Sequence, residues 1–141
     1  MMESLLKRVD HLGIAVHDLT TAMATYSATL GLRDWETIDL PERSMRVAIG
    51  RLGDMLIELI APTSSEAAFN KFLAERGEGL HHVAYEVANI DEALQALAEQ
   101  GVRLVDSVAR PGIHHTRIAF VHPKETLGVL TELVEHPASD R

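Results

Sequence analysis

The sequence of 141 residues contains no cysteine, which excludes disulfide bonds and thiolate metal sites. Basic residues are in deficit, with 13 Lys and Arg against 21 Asp and Glu, and the net charge is -8. This excess of negative charge argues against a protein that binds nucleic acids or acidic membranes in general. No apolar stretch approaches the length of a membrane span. Residues 1–8 lack the apolar region of a signal peptide, so a cytoplasmic location is the expectation.

Several sequence motifs that carry chemistry are also absent. The chain has no glycine-rich phosphate loop, no nucleophile elbow and no zinc-protease helix motif. Apolar residues make up 46% of the sequence, which is typical of a globular protein. The length suits a single domain spanning residues 1–141.

An internal repeat organises this domain. The pattern of Val9–Val16 predicts a strand, and Leu19–Leu30 predicts a helix that ends at a glycine. Seventy-one residues later, Leu80–Val87 predicts a second strand, and Ile90–Gln100 predicts a second helix that also ends at a glycine. Asparagine and glutamate at the start of the second helix fit a capping box.

The repeat continues through two further pairs of strands. Arg46–Ile49 corresponds to Arg117–Phe120 at the same spacing, and Met55–Ile60 corresponds to Val129–Val134 at a spacing of seventy-four. Each half therefore predicts the order β-α-β-β-β. The expected class is α+β, with two such modules forming a curved mixed sheet around one metal cavity. Their expected bounds are about 7–62 and 79–135, with a linking helix in 63–78 and a short tail at 136–141.

The repeat also selects four polar side chains. His11 aligns with His82, and Glu58 aligns with Glu132. The alignment prefers His82 to His81, and the pleat of a strand places those two neighbours on opposite faces. Each glutamate is flanked by apolar residues of its strand, where a carboxylate is costly unless it is paired or bound to a metal.

Four symmetry-related side chains favour a metal site over a structural role. A single histidine in a strand is usually hydrogen-bonded and structural, and a single glutamate usually has a Lys or Arg partner. Two carboxylates that meet would repel each other unless a cation or a proton lies between them. Nitrogen and oxygen donors without sulfur suit Mn, Co, Ni, Fe or Zn. We therefore expect one divalent ion held by His11, Glu58, His82 and Glu132.

Other titratable residues are expected outside this ligand set. His17 should flank a helix start, His122 precedes a proline in a loop, and His136 lies near the end of the chain. Glu86 shares a strand face with His82, where either a place in the cavity or a structural ion pair would explain it.

The chain resembles the vicinal-oxygen-chelate superfamily, and within it the methylmalonyl-CoA epimerases. The resemblance extends from Val9 to Glu135. It is carried by five segments, Asp10–Val16, Ile57–Thr63, Gly77–Ala84, His122–Lys124 and Gly128–Glu135.

The resemblance implies a function for the four selected residues. His11, Glu58, His82 and Glu132 fall on the ligand positions of the family, and Glu132 also resembles its catalytic carboxylate. The implied activity is metal-dependent interconversion of (R)- and (S)-methylmalonyl-CoA through a metal-stabilised enediolate. Cobalt is the ion implied first, and Mn, Ni and Zn stay open. An acyl-CoA substrate and a homodimer are also implied.

Two other functions stay open on the same fold. A lactoylglutathione lyase of the glyoxalase type uses the same kinds of ligand and also passes through an enediolate. A metal-free protein that sequesters a ligand, as in bleomycin resistance, generally lacks the four ligands. The presence of the ligand set therefore argues against the second alternative.

The source of a second proton is a separate question, because inversion needs a proton on the opposite face. Some relatives carry a second catalytic glutamate at the position of Val47, which has no proton to move. The repeat places His114 and His115 opposite Arg43 and Ser44, in loops that enter paired strands. These histidines, water, or another carboxylate (Glu42, Glu86) are the candidate donors.

Overall fold

The computed structural model describes residues 4–138, so part of the expected tail, residues 139–141, lies outside the described residues. Within the described range, eight strands and three α-helices follow one another. They are β1 (Leu6–Ala15), α1 (Leu19–Leu30), β2 (Glu36–Leu40), β3 (Met45–Leu52), β4 (Met55–Pro62), α2 (Asn70–Arg76), β5 (Gly79–Val87), α3 (Ile90–Glu99), β6 (Arg110–Pro111), β7 (Arg117–Val121) and β8 (Leu130–Glu135). The order β-α-β-β-β therefore occurs twice, as the repeat predicted.

The two longer helices begin and end where the sequence predicted. The side chain of Asp18 accepts a hydrogen bond from the backbone N–H of Thr21 at 2.8 Å, which caps α1. Gly31 ends this helix with φ of 76°, a left-handed conformation that favours glycine. Asn89 caps α3 through the backbone N–H of Glu92 at 3.0 Å, which confirms half of the expected capping box.

The strands form one mixed sheet in the order β2-β3-β4-β1-β5-β8-β7-β6. In each half the first and last strands are parallel neighbours, β1 with β4 and β5 with β8. The other pairs, β2 with β3, β3 with β4, β6 with β7 and β7 with β8, are antiparallel. The expected mixed sheet of an α+β protein is confirmed.

Two compact units divide the chain, and the division cuts through two strands. One unit contains His11–His81, and the other contains the residues up to Asp10 and from His82 onward. Each unit has an apolar core of its own, with Leu59 fully buried in one and Leu133 at 2% exposure in the other. The organisation as a single domain stays a prediction.

The linking helix is shorter than the sequence predicted. The pattern predicted helix from about residue 66, but α2 begins at Asn70. The hydroxyl of Ser64 accepts a hydrogen bond from the backbone N–H of Glu66 at 3.1 Å, and the backbone N–H of Asn70 donates to Ala67 at 3.2 Å. These turn contacts replace the first turn of the expected helix.

Burial predicts which leucines stabilise the fold. Replacing Leu59 by Ala should lower the free energy of unfolding by about 2–5 kcal/mol, since it leaves a cavity in a packed core. Leu127 is 98% exposed, so Leu127→Ala should change the free energy of unfolding by no more than about 0.5 kcal/mol. Urea unfolding of both variants measures the difference. Equal destabilisation would contradict the assignment of the core.

Candidate metal centre

Strands β1 and β4 bring one histidine and one glutamate together. His11 lies opposite Leu56 in the parallel register, and Glu58 is two residues further along β4. Side chains two residues apart share a face of the sheet, so the imidazole and the carboxylate lie side by side. His11 Nδ1 is 3.4 Å from Glu58 Oε2, and both residues are buried, at 5% and 7% exposure.

Strands β5 and β8 repeat this arrangement in the other unit. His82 lies opposite Leu130, and Glu132 is two residues further along β8. His82 Nε2 is 3.2 Å from Glu132 Oε1, and both residues are again buried. The two His–Glu pairs thus have the same register in equivalent parallel strand pairs.

These side chains have the donor types of a site for a divalent ion. A neutral imidazole and a carboxylate both coordinate such ions, and binding removes the cost of burying a carboxylate. His82 and Glu132 are both buried candidate ligands within one unit, and their joint ligation of one ion with His11 stays a prediction. Glu58 contacts His11, and its role as the fourth ligand stays a prediction.

The pleat separates His82 from His81 as the sequence predicted. The ring of His81 makes edge contacts with Phe69 and Phe72, at centroid distances of 5.9 and 5.1 Å. The ring of His82 contacts Phe120 at 5.7 Å. His81 is therefore part of an aromatic cluster, and His82 is paired with the buried Glu132.

Phe120 was missed in the sequence, although the repeat contains it. It lies opposite Glu132 across β7 and β8, just as Ile49 lies opposite Glu58 across β3 and β4. A search of the repeat for the neighbours of each ligand, rather than for polar residues alone, would have found it.

Two of the histidines expected outside the ligand set contribute to turns. The backbone N–H of His17 donates to the carboxylate of Glu78 at 2.9 Å. His122 Nδ1 accepts a hydrogen bond from the backbone N–H of Lys124 at 3.1 Å and caps a 3-10 turn. Both contacts account for these residues without a metal.

A third histidine belongs to a charged cluster that the sequence did not predict. His136 Nε2 makes a short hydrogen bond to Asp10, whose side chain also accepts from Arg8. Arg8 Nε donates to Glu86 at 2.8 Å, so the ion-pair interpretation of Glu86 is confirmed. Asp10 is only 4% exposed, and this network compensates its burial.

The candidates for a second proton donor lie in different surroundings. Val47 is buried at 1% exposure between Ile38 and Ile60 and is purely a packing residue. His114 and His115 are exposed, and both have left-handed backbone, with φ of 54° and 62°. They line an open pocket of about 740 Å³ formed by residues 109–112 and 114–117.

Comparison with known proteins assigns the family. The model of the glyoxalase/bleomycin resistance protein/dioxygenase superfamily matches residues 10–120. A mitochondrial methylmalonyl-CoA epimerase of Bos taurus is 37% identical over 129 residues, which cover 91% of this chain and 74% of the relative. The chain belongs to the methylmalonyl-CoA epimerase family of this superfamily. Its named relatives are isomerases of the racemase and epimerase type.

Solved structures of this family share the fold. A methylmalonyl-CoA epimerase in complex with methylmalonyl-CoA and ammonium is 38% identical and has a TM-score of 0.89, covering 94% of this chain and 96% of the other. The enzyme of Mycobacterium tuberculosis is 37% identical with a TM-score of 0.90, covering 99% and 94%. No helix among residues 4–138 has both the length and the apolar character to cross a membrane.

The two neighbouring histidines of β5 provide a matched test of the metal site. His82→Ala should sharply lower the metal content of the purified protein, because it removes a predicted ligand. His81→Ala should change the content little, since this ring packs against Phe69 and Phe72 and points to the opposite face of the strand from His82. Elemental analysis of both purified variants measures their metal content. Equal loss of metal in the two variants would show that the repeat selects the wrong histidine.

Acid provides an independent test of the same ligands. Metal binding should weaken as the pH falls, because an imidazole must be neutral to coordinate an ion. Titration of the metal-free protein with Co²⁺ at several pH values measures this. An affinity that does not change with pH would exclude histidine ligands.

Proposed function

We propose that the chain is a metal-dependent epimerase that interconverts (R)- and (S)-methylmalonyl-CoA. The observation that carries the proposal is the repeated buried His–Glu pair in a chain of this family. A family relative binds methylmalonyl-CoA, which supports an acyl-CoA substrate here. A homodimer and a cytoplasmic location belong to the proposal and follow from resemblance and from the sequence alone.

One divalent ion held jointly by the two pairs is the proposed centre. The identical register of the two pairs and the burial of all four side chains support it. Four protein ligands leave two positions open on an octahedral ion, enough for a substrate that binds through two oxygens. Such an ion would stabilise the negative charge that develops when the proton next to the thioester leaves. Cobalt is the proposed ion.

Glu132 is the proposed base. Its carboxylate is 5% exposed and lies 3.2 Å from His82, so its orientation is fixed by a buried neighbour. Burial strengthens electrostatic interactions with a reacting proton. A carboxylate that helps to hold the ion would lie beside the substrate oxygens that the ion binds, and so within reach of the proton next to the thioester.

Solvent is the proposed source of the second proton. Val47 cannot supply one, and His114 and His115 are exposed residues of a loop. Water enters an open pocket without further change in the protein, whereas Glu86 is already paired with Arg8.

The activity is tested by proton exchange. Incubation of methylmalonyl-CoA with the protein in D₂O should place deuterium on the carbon next to the thioester, and removal of the metal by a chelator should abolish the exchange. Nuclear magnetic resonance or mass spectrometry measures it. The hemithioacetal of methylglyoxal and glutathione is the control substrate. If the protein converts this control substrate but incorporates no deuterium into methylmalonyl-CoA, it is a lactoylglutathione lyase instead.

A double variant, His114→Ala with His115→Ala, tests the second proton. Turnover should stay close to that of the parent protein at unchanged metal content, because solvent can deliver the proton. A fall of about 10²-fold or more, the usual scale of lost general acid catalysis, would assign the proton to this histidine pair instead.

A further inference from the structure

Arg110 lies one aromatic ring away from a proposed metal ligand. Its guanidinium carbon is 5.6 Å from the centroid of the Phe120 ring, over which it lies. The same ring makes a perpendicular contact with His82 at 5.7 Å. Because Phe120 also lies opposite Glu132 in the sheet, Arg110, Phe120 and the His82–Glu132 pair form one continuous group.

An ion pair with Asp106 orients the guanidinium of Arg110 and leaves part of it exposed to solvent. Asp106 Oδ1 lies 3.4 Å from its Nε, and the other oxygen of Asp106 accepts the backbone N–H of Phe120 at 2.9 Å. Within residues 4–138, Asp106 is the one ion-pair partner of Arg110, and the guanidinium makes no side-chain hydrogen bond. The side chain is 43% exposed, so its N–H donors are accessible to a ligand.

A second arginine of the same pocket, Arg117, is held by two hydrogen bonds to a carboxylate. Arg117 donates two hydrogen bonds of 2.8 Å to Asp91, and this pairing raises its pKa above the usual value. Its charge is therefore compensated within the protein. In a chain of net charge -8, an exposed arginine beside a pocket favours an anionic ligand there.

Hydrogen bonds and close packing order the loop that follows Arg110. The backbone N–H of Gly112 donates to Thr116 at 2.9 Å, and the hydroxyl of Thr116 donates to Ile113 at 2.7 Å. A side chain at Gly112 would lie only 2.8 Å from Ile118, so the backbone approaches the sheet closely there. The left-handed backbone of the two following histidines adds strain, which is typical of functional loops.

We infer that Arg110 binds an oxyanion of the acyl-CoA substrate in the pocket formed by residues 109–112 and 114–117. The inference rests on the proposed function and extends it to a residue that determines substrate affinity. The oxyanion is either a phosphate of the CoA or the carboxylate of the acyl group. Both can accept the paired hydrogen bonds that the planar fork of a guanidinium donates to two oxygens at once.

Kinetics with a full and a truncated substrate test the inference. Arg110→Ala should raise KM for methylmalonyl-CoA about tenfold to a hundredfold, the scale of a hydrogen bond to a charged group, with little change in kcat. Methylmalonyl-pantetheine lacks the phosphates but keeps the carboxylate. A rise in KM confined to the full substrate assigns the phosphate, and an equal rise for both assigns the carboxylate. An unchanged KM for both would overturn the inference.

Matched variants separate binding from structure. Arg103 is also exposed and paired, with Glu125 at 3.3 Å, but does not line the pocket, so Arg103→Ala should leave KM unchanged. Arg110→Lys should restore part of the affinity because the charge remains. Metal content should be the same in all three variants. A rise in KM for Arg103→Ala equal to that for Arg110→Ala would count against a specific subsite.

Direct binding keeps the inference testable if the epimerase activity fails. Calorimetry with CoA and with methylmalonate as separate probes measures the affinity of each without turnover. Arg110→Ala should weaken one of the two by about tenfold or more. Normal binding of both probes by the variant would contradict the subsite, whereas an absence of exchange in the parent protein would contradict only the proposed function.

Discussion

Two buried carboxylates on apolar strands constrain this protein more than any other feature. Glu58 and Glu132 are 7% and 5% exposed, and each lies among leucine, isoleucine or valine residues of its strand. A carboxylate in such a setting destabilises the fold unless an opposite charge, hydrogen bonds or a metal compensates it. An apolar residue at either position would pack without this cost. The presence of two carboxylates therefore favours a role for them in a metal site.

The fold supplies the compensation through its parallel strand pairs. In each half, the first and last strands of the β-α-β-β-β order lie side by side, and the register places a histidine next to each glutamate. The helix that follows the first strand is fixed at its start by Asp18 or Asn89. Local helix capping and long-range strand pairing thus position the same four side chains.

Much of this arrangement could be predicted from the sequence because it is periodic or local. The bounds of α1 follow from a capping aspartate and a terminal glycine, and the preference for His82 over His81 follows from its alignment with His11 in the repeat. The contact of His136 with Asp10 could not be predicted, since it joins residues 126 positions apart without a repeat partner. Arg110 was also missed, because β6 has only two residues and shows no periodic pattern.

The number of metal ions bound by each chain tests the central claim most directly. Calorimetric titration of the metal-free protein with Co²⁺ should give one ion per chain if both His–Glu pairs hold the same ion. Glu58→Gln and Glu132→Gln should each weaken that single binding event, because both carboxylates belong to it. Two ions per chain, with each variant affecting only one of them, would contradict a shared centre. The absence of any binding would contradict the metal site itself.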